Sequence, residues 1–370
     1  MKIGTVKEIK THEYRVGLTP SCVKSYVSRG HRVMVETGAG ISAGFEDEDY
    51  TAAGGILADR ETIFRESEMI VKVKEPVPEE YGYLRKGQII YTYLHLAASR
   101  ELTDTLLGKK VKAVAYETIE TADGSLPCLK PMSEIAGRLA VQEGAKYLEK
   151  TYGGRGVLLG GVPGVERGKV AIIGGGVVGT NACKIAVGMG AEVTILDINA
   201  KRLEYLDDIF STRITTLYNT DYNLEKVLSQ SDLVIGAVLL PGAKAPQIIK
   251  RGHLKLMKRG AVIVDVAVDQ GGCVETTRPT THEDPVFVVD NVVHYCVANM
   301  PGAVALSSTR ALTSTTLPYG LLIAEAGIEE ACRKSPALLK GLNIYDGTCV
   351  YPAVAQAFNL SYTPPERLLF

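Results

Sequence analysis

One stretch of this chain limits its fold more than any other. Val170-Ala-Ile-Ile173 is an unbroken apolar run that leads directly into Gly174-Gly175-Gly176-Val177-Val178-Gly179. Helix-compatible residues follow from Thr180 to Met189, and a second apolar run beginning at Glu192 ends in Asp197. A glycine turn between strand and helix, with an acid closing the next strand, is the fingerprint of a doubly wound α/β domain that holds a dinucleotide. Gly174 permits the tight turn, Gly176 lets backbone N–H groups approach a pyrophosphate, and Gly179 lets the helix pack closely on the strand. The helix N-terminus offers unpaired donors and a positive dipole end to the phosphates. Asp197, about 20 residues beyond the motif, suits a ribose hydroxyl and would repel a 2′-phosphate, which favours NAD over NADP. Arg202 in the next helix either touches the cofactor or is a solvated helix residue.

The same alternation of short strands and helices runs through most of the chain. Strands are expected at residues 2–6, 32–36, 69–73, 88–93 and 112–116, and a helix at 20–29 opens with Thr19 as N-cap and Pro20 in its first turn. A Pro-free stretch over 133–152 carries Ile135, Leu139, Ala140, Tyr147 and Leu148 at helical spacing. A Gly-rich link, 153–168, leads to a second strand series at 170–173, 192–196, 214–217, 233–237, 261–265 and 286–289. After Met300-Pro301 the pattern turns helical, over 303–327 and 337–342, with too few strands for a third domain. The expectation is an α/β protein of two domains with mostly parallel sheets. A Rossmann dinucleotide-binding domain over 129–306 would be inserted in a discontinuous α/β substrate and catalytic domain, 1–128 with 307–370.

Composition narrows the class. The 370 residues carry a formal net charge of -1 and no block of like charge, so nothing points to nucleic acid or a membrane surface. No run nears the roughly 18 apolar residues of a membrane span. The opening MKIGTVKEIK lacks the apolar segment of a secretory signal, so a cytoplasmic protein is expected. The seven cysteines, Cys22, Cys128, Cys183, Cys273, Cys296, Cys332 and Cys349, include no C-x-x-C pair and cannot all pair with one another. They fit buried thiols in a reducing compartment. No metal is expected, because no His/Cys cluster has ligand spacing.

Loops at the carboxyl ends of later strands should complete the cofactor site. These are Val238-Leu239, Val266-Ala267-Val268-Asp269 and Val297-Ala298-Asn299-Met300. Arg15 carries a fork suited to a carboxylate, although an Arg in a polar stretch also reads as a surface residue. Lys74 ends an apolar strand, where α/β active sites lie, yet Lys72 and Lys74 alternate with Val71 and Val73 as on a solvated edge. His95 follows the strand at 88–93 and is of the side-chain type suited to proton transfer near neutral pH; a hydrogen-bonded structural His reads the same way. Asp269 lies in a Gly-bounded loop, where it could orient water or cap the turn into Gly271-Gly272, and Asp265 is its rival. Ser133 reads as the N-cap of the long helix or as a cofactor ligand.

Segments along the whole chain resemble the alanine dehydrogenase family. They are KEIKTHEYRVGLTP (7–20), VKVKEP (71–76), YLHLAAS (93–99), PMSEIAGRLA (131–140), GGRGVLLGGVPGV (153–165), GAVLLPGAKAP (236–246), VDVAVDQGGC (264–273), RPTTHEDP (278–285) and YCVANMPGAV (295–304). The resemblance implies NAD-dependent oxidative deamination of L-alanine to pyruvate and ammonium, and the reverse, at a cleft between two domains of a homohexamer. It implies that Arg15 and Lys74 hold the substrate carboxylate and that His95 and Asp269 take part in catalysis. It implies cofactor contacts from Ser133, Val177, Val178, Asp197, Arg202, Val238, Leu239, Arg278, Asn299 and Met300. Asn219 and Arg202 depart from the residues many members carry there. Two other classes stay open. One is the soluble NAD-binding component of a proton-translocating nicotinamide transhydrogenase, whose Arg- and Gln-bearing loop PMSEIAGRLA does not match. The other is a regulatory NAD-binding protein without catalysis.

Overall fold

Short apolar strands separated by amphipathic helices bury both faces of a sheet only when the strands run parallel under helices on each side. This chain does so twice. The computed structural model describes residues 1–238 and 245–370. They form two compact units, Met1–Met132 with Gly302–Phe370, and Ser133–Pro301.

In the first unit, strands β1 (Lys2–Thr5), β2 (Arg32–Glu36), β3 (Ile56–Ala58), β4 (Met69–Val71), β5 (Ile89–Thr92) and β6 (Lys112–Ala115) lie in the order β6-β5-β4-β1-β2-β3, all parallel. Ile70, Ile90, Ala113, Phe64 and Leu106 form part of its buried core. The helix Pro20–Val27 starts as its sequence dictates: Thr19 accepts from Cys22 N at 3.2 Å and Pro20 fills the first turn.

The second unit holds β7 (Lys169–Ile173), β8 (Glu192–Asp197), β9 (Ile214–Tyr218), β10 (Leu233–Gly236), β11 (Val262–Asp265), β12 (Val286–Val289) and β13 (Val292–Tyr295). Their order is β12-β13-β11-β10-β7-β8-β9, parallel except for β12. The strand order reverses beside β7, which places a crevice at its carboxyl end. The expected last strand at 286–289 is the outer, antiparallel one. The buried β13 behind it completes the parallel set, joined to β12 through Asp290 and Asn291 at φ 48° and 64°, the left-handed pair a tight hairpin demands.

After that unit the chain returns to the first sheet. The long helix Ala305–Ala326 is followed by β14 (Leu342–Tyr345) and β15 (Thr348–Cys349), an antiparallel hairpin on β6 turned by Asp346-Gly347. The tail is therefore not purely helical. All seven cysteines are buried and free. Among the described residues, no helix is long and apolar enough to cross a membrane.

Candidate active site

Strands β6, β5, β4 and β1 are adjacent and parallel, so their carboxyl ends deliver consecutive loops to one edge of the sheet. Those loops carry Glu8, Glu13 and Arg15 after β1, Lys72 and Lys74 after β4, Tyr93 and His95 after β5, and Glu117 after β6.

Arg15 is not a surface residue. Only 2% of it is exposed, and it donates from Nε and Nη2 to the two carboxylate oxygens of Glu13, each at 2.6 Å. Its Nη1 lies 3.0 Å from Met132 Sδ. Burial alone would lower its pKa, and the Glu13 carboxylate more than offsets this.

The solvated-edge reading of the two lysines fails because β4 is an interior strand. Lys72 is fully buried and donates to Glu8 at 3.1 Å and Glu80 at 2.9 Å. Glu8 also accepts the backbone N–H groups of Val73 and Lys74, at 2.6 and 3.2 Å. Burial pushes the Glu8 carboxyl up, against the pull of Lys72. The half-buried Lys74 differs: among the described residues its ammonium has no hydrogen-bond or ion-pair partner. Burial and then the nearby Arg15 charge hold its pKa below the usual lysine range. A desolvated lysine beside an arginine is a site that favours an anion.

His95 sits at φ 49°, the left-handed region that L-residues seldom occupy. Its N–H donates to Glu117 Oε1 at 2.6 Å, and the Leu94 N–H donates to the same oxygen at 3.1 Å. The imidazole stacks on Tyr93, with planes 10° apart and centroids at 6.0 Å, and its side chain is 47% exposed. Tyr93 is fixed by its hydroxyl, which donates to Cys128 O at 2.6 Å, and by an edge contact with Tyr116.

In the second unit the glycine loop has the geometry its spacing predicts. Gly174 takes φ 101°, and a Cβ there would stand 2.8 Å from Ala237 O, at the end of neighbouring β10. A Cβ on Gly179 would stand 1.9 Å from Gly174 O. At Gly176, the N-cap of the helix Val177–Gly188, an added Cβ meets nothing among the described residues within 4 Å. That open cradle, at a helix N-terminus with no side-chain cap, fits a pyrophosphate. Asp197 Oδ2 accepts from Gly175 N at 2.6 Å, and Oδ1 from Asn199 N at 2.8 Å. The carboxylate thus faces the glycine loop with lone pairs to spare for a ribose.

Arg202 is no solvated helix residue. Its Nε donates to Gly175 O and its Nη2 to Thr180 Oγ1 at 2.5 Å, which braces the same loop. Ser133 is not an N-cap, because the helix starts three residues earlier, spanning Lys130–Tyr147. It lies one turn before Gly137, whose missing Cβ would meet Val178 O at 2.2 Å, so Ser133 shares the helix face that packs on the start of Val177–Gly188.

Of the remaining cofactor candidates, Val178, Ala267, Val268, Val297 and Met300 are buried, whereas Val177 and Asp269 are exposed and Val238, Val266, Ala298 and Asn299 are intermediate. Arg278 is exposed, with its guanidinium 4.5 Å from the Phe287 ring centre. Leu239 lies outside the described residues. Asp269 Oδ2 accepts from Asn299 N at 3.2 Å, joining two of the candidate loops. Asp265 is the carboxylate that holds the Gly271-Gly272 turn. It is buried, accepts from Ala267 N, Val274 N and Thr277 Oγ1 at 3.1, 3.2 and 2.7 Å, and burial raises its pKa.

The structure therefore brings Arg15 and Lys74 together at one sheet edge, and Gly174, Gly176, Asp197 and Arg202 at another; His95 and Asp269 belong to different units. The sequence reading missed Glu8, Glu13, Glu80 and Glu117. Glu13, two residues before Arg15, is the only one whose position in the sequence hinted at its partner.

Comparisons with known proteins agree over the full length. Residues 4–136 match the family model "Alanine dehydrogenase/PNT, N-terminal domain", and residues 140–352 match "Alanine dehydrogenase/PNT, C-terminal domain". An alanine dehydrogenase of Methanococcus maripaludis is 56% identical over 100% of both chains. A solved L-alanine dehydrogenase superposes with a TM-score of 0.95 at 53% identity, covering 97% of this chain and 99% of that one. A transhydrogenase structure from Sinorhizobium meliloti has a TM-score of 0.82, covering 95% of this chain and 100% of that one, at 23% identity, a likeness of fold alone.

Proposed function

The chain belongs to the alanine dehydrogenase/PNT family, and on that premise we propose that it interconverts L-alanine and pyruvate plus ammonium with NAD(H). The transhydrogenase alternative falls. Full-length relatives above 50% identity carry the alanine dehydrogenase name, whereas the transhydrogenase shares only the fold at 23%. The regulatory, non-catalytic reading falls with it.

One observation carries the substrate side of the proposal: the half-buried ammonium of Lys74, without a partner among the described residues, beside the Arg15 guanidinium. Two cations in a desolvated pocket favour a carboxylate, which alanine and pyruvate both present. Glu13 keeps the Arg15 fork in one plane.

Gly174, Gly176, Gly179 and the N-terminus of Val177–Gly188 would hold the pyrophosphate, and Asp197 would read the ribose. Ser133, Arg202, Val238, Arg278 and the loops 266–269 and 297–300 would complete the cofactor's surroundings. A bound NAD(H) would supply the hydride acceptor for the substrate's α-hydrogen in deamination and the hydride donor in amination. During deamination His95 takes a proton from the substrate ammonium and passes it to solvent, then takes one from the attacking water and returns it to the departing amine; amination runs these transfers in reverse. Asp269, held against Asn299 N, is the second residue of the catalytic proposal.

A cytoplasmic homohexamer completes the proposal. Exposed Leu158, Val162 and Val165 on the Gly-rich link support self-association, and buried free thiols support a reducing compartment. Light scattering of the pure protein tests the assembly.

The decisive experiment is alanine-dependent formation of NADH by the pure chain, followed by absorbance. No NADH formation by a folded, NADH-binding protein would sink the proposal. His95→Ala should lower turnover in both directions by about 10²–10⁴-fold.

A further inference from the structure

The turn that carries His95 is held from outside. A left-handed residue other than glycine persists only where its surroundings fix it. Here the fixing group is Glu117, in the turn Tyr116–Thr118 after the neighbouring strand β6. Its Oε1 accepts from His95 N at 2.6 Å and Leu94 N at 3.1 Å, and its Oε2 from Leu94 N at 3.3 Å. Ionised acceptors make the stronger kind of hydrogen bond, and the 16% exposure of this side chain leaves little water to replace it. The adjacent Tyr116 acts on the same imidazole by another route. Its ring meets Tyr93 edge-on at 5.1 Å, and Tyr93 stacks on His95. One short turn thus sets both the backbone and the ring plane of the proposed acid–base residue.

We propose that Glu117 is the positioning residue of the proton-transfer step, holding the Leu94–His95 backbone in the turn that aims the imidazole. This rests on the reading of His95 given above. Glu117 acts as an acceptor of N–H groups, and the amide oxygen of glutamine can take over that part.

The test uses the full-length enzyme with Glu117→Ala, Glu117→Gln, His95→Ala and the double variant His95→Ala/Glu117→Ala. Glu117→Ala should lower kcat about 10- to 100-fold, the scale of a displaced reacting group, with the KM for NADH unchanged. Glu117→Gln should recover most of that loss. Amide hydrogen exchange at Leu94 and His95 should be faster in the alanine variant than in the wild type or the glutamine variant. The double variant should be no slower than His95→Ala alone, because the two residues act as one unit.

Wild-type kcat in Glu117→Ala overturns the proposal. So do equal losses in the alanine and glutamine variants, or a loss that tracks NADH affinity and thermal stability. His95→Ala separates the two readings. If it keeps wild-type turnover, the acid–base role falls; if it is inactive while Glu117→Ala keeps wild-type turnover, only the positioning role falls.

Discussion

Gly176 offers the sharpest test of the cofactor site, because among the described residues nothing requires glycine there. Its φ of -64° and ψ of -161° are open to any L-residue, and an added Cβ meets no atom of the described residues within 4 Å. The chain's own packing therefore predicts that Gly176→Ala folds normally, with a melting temperature within about 2 °C of wild type. Its reason for being glycine must then lie in something that approaches from outside. A methyl group over the helix N-terminus would remove at least one charge-assisted hydrogen bond to a pyrophosphate, about 1.5–3 kcal/mol. That corresponds to a roughly 10- to 150-fold rise in the Kd for NADH. Fluorescence titration reads this directly, and the thermal upshift produced by NADH should shrink with it. Gly179→Ala must behave differently. Its Cβ would lie 1.9 Å from Gly174 O, against an ordinary carbon–oxygen contact of about 3.3 Å. Both groups are backbone, so helix and loop must part, and stability should fall together with binding. Gly188→Ala, at the far end of the same helix with no atom within 4 Å, should change neither. A folded Gly176→Ala protein with wild-type NADH affinity would refute the placement of the pyrophosphate.

Replacing Asp197 with Ser should lower kcat/KM for NAD+ about tenfold or more and narrow the gap to NADP+; unchanged constants for both would mean another residue reads the ribose. Lys74 binds an anion only while protonated, and burial with the Arg15 charge lowers its pKa. The KM for pyruvate should therefore rise as pH climbs through the alkaline range below the usual lysine pKa, and Lys74→Arg, charged throughout, should flatten that rise; an equal rise in both would remove Lys74 from substrate binding. Burial pushes the thiols of Cys128, Cys183 and Cys332 up to about 12 each. Iodoacetamide at pH 8 should leave all three unmodified in the native protein by mass spectrometry, and rapid native labelling of any one would show that its burial is wrong.

What the sequence disclosed, and what it hid, follows from the range of the interactions concerned. The glycine loop was legible because its requirements are local: the turn at Gly174, the open cradle at Gly176 and the close approach at Gly179 fall within one strand–turn–helix unit. The β12–β13 hairpin was misread because Val286–Val289 and Val292–Tyr295 are both apolar runs, and only sheet order shows that the second is interior. The tail hairpin carried a signal that went unused, Asp346-Gly347 between two strands. Lys72 and Lys74 show the limit most clearly. They stand two residues apart in the same motif, yet Lys72 is neutralised by Glu8 and Glu80 while Lys74 has no partner among the described residues. Glu8 lies 64 residues from Lys72 and reaches it only because β1 and β4 are neighbours.

The carboxylates explain why a charged edge of this kind can be built at all. Glu8, Glu13 and Glu117 each accept backbone or guanidinium N–H groups at about 2.6 Å from within the loops after β1, β4 and β5. Each fixes a neighbouring cationic or titratable side chain by way of the chain that carries it: Glu8 the Lys74 backbone, Glu13 the Arg15 fork, Glu117 the His95 turn. Buried charges are tolerable only when paired and hydrogen-bonded, so pairing almost every charge leaves the remaining one to select a ligand. Among the described residues of this edge, that charge is Lys74. Deleting Glu8 should therefore harm more than deleting Lys74. Glu8→Ala strands Lys72 with one partner and frees two backbone N–H groups, which should destabilise the fold by about 3–5 kcal/mol. Lys74→Ala removes a partly desolvated charge and should leave stability within about 1 kcal/mol of wild type while raising the KM for pyruvate. Chemical denaturation of both variants decides the point, and equal destabilisation would show that Lys74 is part of the framework and not its vacancy.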